Sequence, residues 1–325
     1  MFLSIKNEKA ILNSSFVLFS KHPKVLVPLL LVWLVYAPFI LWYKFYYDGS
    51  NNLLVAFGII ALFSFILSMS CSVLLEMIED LETGKPISLI KAFGHSFLLN
   101  FPRALFLILL WTVVWFLLAV LQAIFSKKKD ENSDEFNAEN AARAVAGMDG
   151  KFSVSAAFFD ALKKGVRMLV FLILPAIAWE GKGPFSSVKR GLGIFRTNLA
   201  SFSKGFLLTE LTSALIFLPV GLLFLSLGLL RKVGIPAQLP TEAWTVVFIY
   251  IAFAWSFSIY LEQMFCAELY MWHLKWESAV KVAKEKGRKG PTSLSQVKKP
   301  CLLDEVNDLM CLAPNAQVAK TATVE

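Results

Sequence analysis

The sequence predicts an all-α polytopic membrane protein: six transmembrane helices with cytoplasmic amphipathic helices, arranged as three repeated helix-plus-hairpin units. Three observations carry this expectation. Hydrophobic residues make up 57% of the 325-residue chain and charged ones 17%, against roughly 45–50% and about 25% in soluble domains. Phe alone occurs 29 times. A water-soluble fold of this length has too little interior for so much apolar side chain, so lipid must solvate part of it. The second observation is a series of apolar stretches of bilayer length. The third is a similarity of the chain to itself.

A hydrocarbon core of about 30 Å requires roughly 20 apolar residues in a helix. Residues 25–43, flanked by Lys24 and Lys44, meet that length, and so do 53–77, 104–125, 206–230 and 243–272. Trp and Tyr gather near several of their ends, where amphipathic rings anchor at the interface. The fourth span, 160–179, is the short one. Its uninterrupted apolar core runs from Met168 to Trp179, and the stretch before it carries Asp160, Lys163 and Lys164. An ionised group at mid-helix costs about 2.5–3.5 kcal/mol on insertion scales, so this charged turn is expected at the interface. Pro38, Pro175 and Pro219 fall inside spans as candidate kinks. The N-terminal basic region, Lys6 to Lys24, leads into an apolar stretch with no small-residue cleavage site, and reads as a retained first span. Residues 1–276 thus form a membrane domain. Residues 277–325 form a cytoplasmic, basic and largely flexible tail opening on the run Lys281 to Lys289.

After span two comes Lys85-Pro86-Ile87-Ser88-Leu89-Ile90-Lys91, and after span four comes Gly183-Pro184-Phe185-Ser186-Ser187-Val188-Lys189. Aligning Pro86 with Pro184 also brings Asn100 onto Asn198, just before the next apolar run. Each copy reads as an amphipathic helix initiated by Pro, a polar break, and a span. Pro suits the first helical position because its missing N–H would be unpaired there. The stretch Lys9 to His22 looks like a third, diverged copy, with its break at His22-Pro23-Lys24. Three copies imply three units, with related segments on one side of the membrane. That side then holds 21 of the 32 Lys and Arg and the other 11. The larger share is expected in the cytoplasm, together with both termini. Loop 126–151 runs against this local trend with Lys127-Lys128-Lys129. It is polar and expected to be mobile.

The net charge of +8 is distributed between apolar runs. It therefore points to topology and to anionic lipid headgroups at the cytoplasmic face, with no nucleic acid as partner. Cys71, Cys266, Cys301 and Cys311 show no CxxC, and His22, His95 and His273 have no second ligand at helical spacing, so neither disulfides nor a metal is expected. GxSxG, HExxH and P-loop patterns are absent, and no enzymatic activity or cofactor is expected. The candidates for chemistry are the ionisable groups within spans: Glu76, Glu268 and, deepest, Glu210 and Glu262. If the last two converge, they suit a proton or cation pathway, because burial and a like charge raise a carboxyl pKa. The competing expectation is that each pairs with a nearby Lys or Arg from a cytoplasmic amphipathic helix and fixes helix packing.

The segment Leu172 to Lys204 carries a resemblance. Its apolar run ending in Pro175, then Glu180, the Gly181-Lys182-Gly183-Pro184 turn and the helix bearing Arg190 resembles a group of uncharacterised prokaryotic multi-pass membrane proteins. More loosely, it is similar to the membrane domain beside some glycerophosphodiester phosphodiesterases. The chain departs from the pattern at Gly191, where a Ser is expected. The resemblance implies a six-span inner-membrane protein and supplies no catalytic residues. The expectation is a non-enzymatic accessory or scaffold protein of the membrane. The alternative is a transporter or channel for a small solute, ion or lipid.

Overall fold

The computed structural model describes residues 6–46, 53–83, 85–127, 154–232 and 240–297. Most of loop 126–151 and the tail beyond residue 297, with Cys301 and Cys311, lie outside the described residues. All regular structure among the described residues is helical. The first amphipathic helix is α1 (Lys6–Lys21). A 3-10 turn (Pro23–Leu26), α2 (Val27–Leu31) and α3 (Trp33–Tyr46, with Pro38 inside) make up the first apolar stretch. Next come α4 (Leu53–Glu82), α5 (Leu89–His95) and α6 (Phe101–Lys127). The chain continues through α7 (Val154–Ala178), α8 (Pro184–Thr197), α9 (Leu199–Lys232) and α10 (Thr241–Glu285).

Among the described residues, five helical segments are long and apolar enough to cross a membrane: Pro23–Trp42, Leu54–Leu81, Leu89–Gln122, Leu199–Leu229 and Glu242–Glu285. Helices suit such a setting because each satisfies its own backbone hydrogen bonds where no water can. α7 is long enough, but Asp160, Lys163, Lys164 and Arg167 interrupt its apolar sequence. α10, at 45 residues, is about 67 Å long, more than twice a hydrocarbon core of about 30 Å. Exposed Trp244, Val246, Phe248 and Ile249 mark its apolar first third. Its last third carries most of its charges, from Lys275 to Glu285. The segment expected to open a flexible tail continues α10 as helix to Glu285. The chain then folds back, with Trp276 Nε1 donating to the carbonyl of Pro291 and Trp272 Nε1 to that of Val297.

Three helices form the centre. α7 packs against both α4 and α10, and all three are buried around their whole circumference over part of their length: Cys71 to Ile78, Phe171 to Ile177 and Ile259 to Trp272. A helix that is apolar all round belongs in such a place. Cys71 and Cys266 are free thiols buried here as small packing residues. The remaining long helices lie outside. α6 packs on α4 and α7, α2 on α4 and α10, and α9 on α10. The outward side of α9 leaves Leu207, Leu211, Leu215, Leu218 and Leu222 exposed, an apolar face suited to lipid.

The three amphipathic helices each cap one or two long helices. α1 lies on α9 and α10, α5 on α4, and α8 on α6 and α7. The Pro-initiated start predicted for both repeat copies occurs in one of them. Pro184 is the first residue of α8, whereas Pro86 stays extended and α5 begins after Ser88, whose Oγ accepts from the Lys91 N–H at 3.4 Å. The predicted breaks also differ. Asn198 ends α8 with φ −118° and ψ 29°. At Asn100 the chain passes from α5 to α6 through a π-helical turn, Ser96–Asn100. The following Pro102 has no N–H to donate and its ring would crowd the carbonyl four residues back, and a π turn relieves both conflicts.

Two glycines are fixed by close approach. A Cβ on Gly191 would overlap Ile173 of α7, so the Ser expected at this position has no room, and α8 seats directly on α7 through it. A Cβ on Gly205 of α9 would fall on the Phe265 ring of α10. Small residues at helix crossings in membranes work in this way, letting backbones approach. Gly205→Leu should therefore lower the thermal unfolding midpoint of the detergent-solubilised protein, with a cost of about 1–3 kcal/mol from overpacking. Gly221→Leu, on an open stretch of the same helix, should leave the midpoint unchanged.

Candidate functional site

The first polar constellation sits between α7, α9 and α10. Arg167 and Lys164 are one turn apart on α7 and share a face. Arg167 donates to both carboxylate oxygens of Glu262, from Nε at 2.7 Å and from Nη2 at 2.8 Å. Lys164 Nζ lies 2.6 Å from Glu210 Oε2 and 3.5 Å from Glu262 Oε1, with the Phe206 ring 5.1 Å away. The Glu262 side chain is 2% exposed, Lys164 7% and Arg167 18%, while Glu210 is 60% exposed at the bundle's outer side. Lys163 turns the other way. Its ammonium reaches Gln122 of α6 at 2.5 Å and Asp160 at 3.8 Å, and Trp115 Nε1 donates to its backbone carbonyl.

Glu210 and Glu262, singled out from the sequence, are therefore brought together, but through Lys164 and not as a carboxylate pair. Their partners come from α7, whereas the sequence pointed to the cytoplasmic amphipathic helices. Lys163 and Lys164 are buried inside the bundle, so the charged turn of α7 faces neighbouring helices. Burial is possible because each cation finds an acidic or amide partner on a facing helix. A residue spacing within α7 carries no record of those partners. The one available signal was the i, i+1, i+4 spacing of Lys163, Lys164 and Arg167 upstream of an apolar run.

The other two carboxylates also join a long helix to a shorter one, through hydrogen-bonding and His partners. Glu76 of α4 accepts from Asn100 Nδ2 at 2.7 Å and lies 2.8 Å from His95 Nδ1 of α5. Glu268 of α10 accepts from Ser14 Oγ of α1 at 2.5 Å, and Tyr260 donates to the Ser15 carbonyl nearby. Asn198, the repeat counterpart of Asn100, lies 2.9 Å from His273 Nδ1.

A second constellation joins the α7–α8 turn to the projecting part of α10. The chain leaves α7 through Gly181 at φ 59°, a conformation that favours glycine. The Lys182 N–H closes onto the Ala176 carbonyl at 3.1 Å, and Gly183 and Pro184 start α8. This brings Glu180 to Lys182, Tyr270 and Arg190, the last at 3.3 Å from Nε. Arg190 is simultaneously bound by both oxygens of Glu277, with Nη1 at 2.7 Å, and His273 Nε2 is 3.1 Å from the same carboxylate. Of the five residues of the turn signature, Glu180 and Arg190 meet in this network. Gly183 and Pro184 shape the turn that allows it, and Pro175 lies one turn earlier inside α7. Burial would push the Glu180 carboxyl up, but hydrogen bonds from Lys182 and Tyr270 and the charge of Arg190 hold it below its ordinary value. The hydrogen bonds to Glu277 raise Arg190 further still. Both groups are thus held ionised as a brace between α8 and α10.

The two constellations are composed of ion pairs with their hydrogen-bonding positions engaged, chemistry suited to holding helices. Among the described residues no group of three or more His, Cys, Asp or Glu is placed to hold a metal ion.

Removing one partner of a buried ion pair leaves an uncompensated charge. Glu262→Ala should destabilise the solubilised protein by about 3–5 kcal/mol, and the double variant Arg167→Met/Glu262→Leu should recover most of that loss, read as unfolding midpoints. A second expectation concerns acid. Glu180 titrates lower folded than unfolded, so its contribution is complete above its ordinary pKa of about 4.3 and is lost as pH falls through the folded value. The unfolding midpoint of Glu180→Gln should accordingly fall less steeply than that of wild type between about pH 5 and 3. Across families and structures, no protein-family model matches the chain, no curated protein does, and no solved structure does.

Proposed function

We propose that this chain is a non-enzymatic accessory or scaffold protein of a prokaryotic inner membrane, crossing it six times with both termini in the cytoplasm. The observation that carries the reading is the use of buried charge. Both oxygens of Glu262, the most buried carboxylate of the deep pair, are taken by Arg167. The cations of α7 are taken by Glu210, Glu262 and Gln122. Ionisable groups consumed in pairs between helices support packing more directly than passage.

The same pairing supports α7 as a sixth span, since charges in membrane helices persist where they face the bundle and neutralise one another. It also bears on orientation. Three of the eleven cations counted on the outer side, Lys163, Lys164 and Arg167, engage facing helices and need not count as loop charge, which strengthens the cytoplasmic excess on the other side. Three helix-plus-hairpin units are supported by how the amphipathic helices dock. α5 follows α4 and packs on it, α8 follows α7 and packs on it, and α1 packs on α10, the last α-helix among the described residues. Each unit thus covers the hairpin before it, with the first closing onto the third. The resemblance of the Glu180–Arg190 segment to uncharacterised multi-pass proteins agrees with this reading.

A second reading, transport of a small solute, ion or lipid, draws on one observation: exposed Glu210 is linked through Lys164 to buried Glu262. The two readings separate in liposomes. Reconstituted protein should conduct neither protons nor small cations above protein-free vesicles, measured with an entrapped pH dye and a potassium diffusion potential. A proton flux present in wild type and lost in Glu210→Gln or Glu262→Gln would establish the transport reading and remove the accessory one.

A further inference from the structure

Between α6 and α8 runs a groove of about 520 Å³. Its walls are apolar: Phe106 and Leu110 from α6, with Phe185, Val188 and Leu192 from α8. The rings of Phe106 and Phe185 are in contact, tilted by 45° with centroids 4.5 Å apart, and Phe185 is 73% exposed. Two cations, Lys189 and Arg196, line the same groove. On α8, Phe185, Lys189, Leu192 and Arg196 fall at steps of four, three and four residues, so they share one face.

The contrast between these cations and their neighbours is informative. Arg190, next in sequence to Lys189, is bound on both sides by Glu180 and Glu277. Lys182 is bound by Glu180. Among the described residues neither Lys189 nor Arg196 is in an ion pair, and both are exposed. Two uncompensated cations two turns apart beside a slot lined by aromatic and aliphatic side chains match a molecule with an anionic head and an apolar chain. Basic pockets between membrane helices bind anionic headgroups in this way, and an amphipathic helix on the bilayer surface presents such a face to lipid.

We infer that the α6–α8 groove is a binding site for an anionic glycerophospholipid, with an acyl chain along Phe106, Leu110 and Phe185 and the phosphate held by Lys189 and Arg196. This rests on the membrane placement proposed above but not on the choice between accessory and transport roles. The bound lipid would tie α8, which α7 anchors through Gly191, to the outer helix α6. The site therefore adds a lipid-dependent contact to an interface that the protein only partly fills.

The test uses the full chain, stripped of lipid in neutral detergent, and titrated with phosphatidylglycerol or with phosphatidylcholine of the same chains, bound lipid being read by native mass spectrometry. Phosphatidylglycerol should bind more tightly by roughly thirtyfold, about fivefold for each cation. Lys189→Gln/Arg196→Gln should abolish that preference while leaving phosphatidylcholine binding unchanged. Phe185→Ala should weaken both lipids alike, and inorganic phosphate at the same concentration should displace neither. All three side chains are exposed or partly so, and unchanged helical circular dichroism verifies the fold of each variant. Equal phosphatidylglycerol binding by wild type and the double variant would overturn the assignment. So would displacement by inorganic phosphate, which would mark a simple anion site. Loss of the preference in Lys281→Gln/Lys284→Gln instead would move the site to the basic end of α10.

Discussion

In the middle of the bundle the guanidinium of Arg167 grips both oxygens of Glu262, and Lys164 beside it extends the contact to Glu210. This arrangement sets the register of α7 against α9 and α10. Sliding α7 by one residue would rotate its cations by about 100° and leave a buried carboxylate without its partner, a change worth several kcal/mol. With the register fixed, the apolar stretch from Val170 to Ile177 is delivered to the space between α4 and α10, where it is buried on all sides. Gly191 then lets α8 settle onto Ile173 of that stretch. Much of the architecture follows from one helix being held at one height.

Away from this centre the polar side chains do a second job, which is to hold the short amphipathic helices to the long ones. Glu76 receives α5 through His95, Glu268 receives α1 through Ser14, and Glu277 receives α8 through Arg190. Each pairing joins a carboxylate on a long central helix to a residue of an amphipathic helix. An apolar face alone would let such a helix slide along the surface, since packing of similar side chains has little positional preference. A charged or hydrogen-bonded contact with defined geometry fixes where the helix stops. The Lys204–Glu8 contact at 3.6 Å adds the same restraint between α9 and α1.

The apolar helices were legible in the sequence because hydrophobic length is a local property. Each predicted span lies within or over an observed helical segment, and the weak fourth one coincides with α7. Less was legible where a residue's role depends on what faces it. Pro86 and Pro184 occupy matched positions in the repeat, yet only Pro184 begins a helix, because Ser88 offers α5 a better cap. Gly191 looked like a departure from pattern and is the contact point of two helices. Lys163 and Lys164 looked like interfacial charges, but Gln122 and Glu210, some forty residues away on either side, receive them. Glu210 and Glu262 were identifiable as unusual; that their shared partner is a lysine was not.

Composition and the spacing of apolar runs alone determined that the chain is helical and that most of its length is suited to lipid, because those properties depend on residues within twenty positions of one another. The self-similarity around Pro86 and Pro184 likewise indicated where amphipathic helices would lie. The tertiary structure decided which helices are central, how α1 reaches the opposite end of the chain to cap α10, and which charges meet. Those outcomes depend on side chains up to 254 positions apart, as Ser14 and Glu268 are, and no local pattern encodes a distance of that kind.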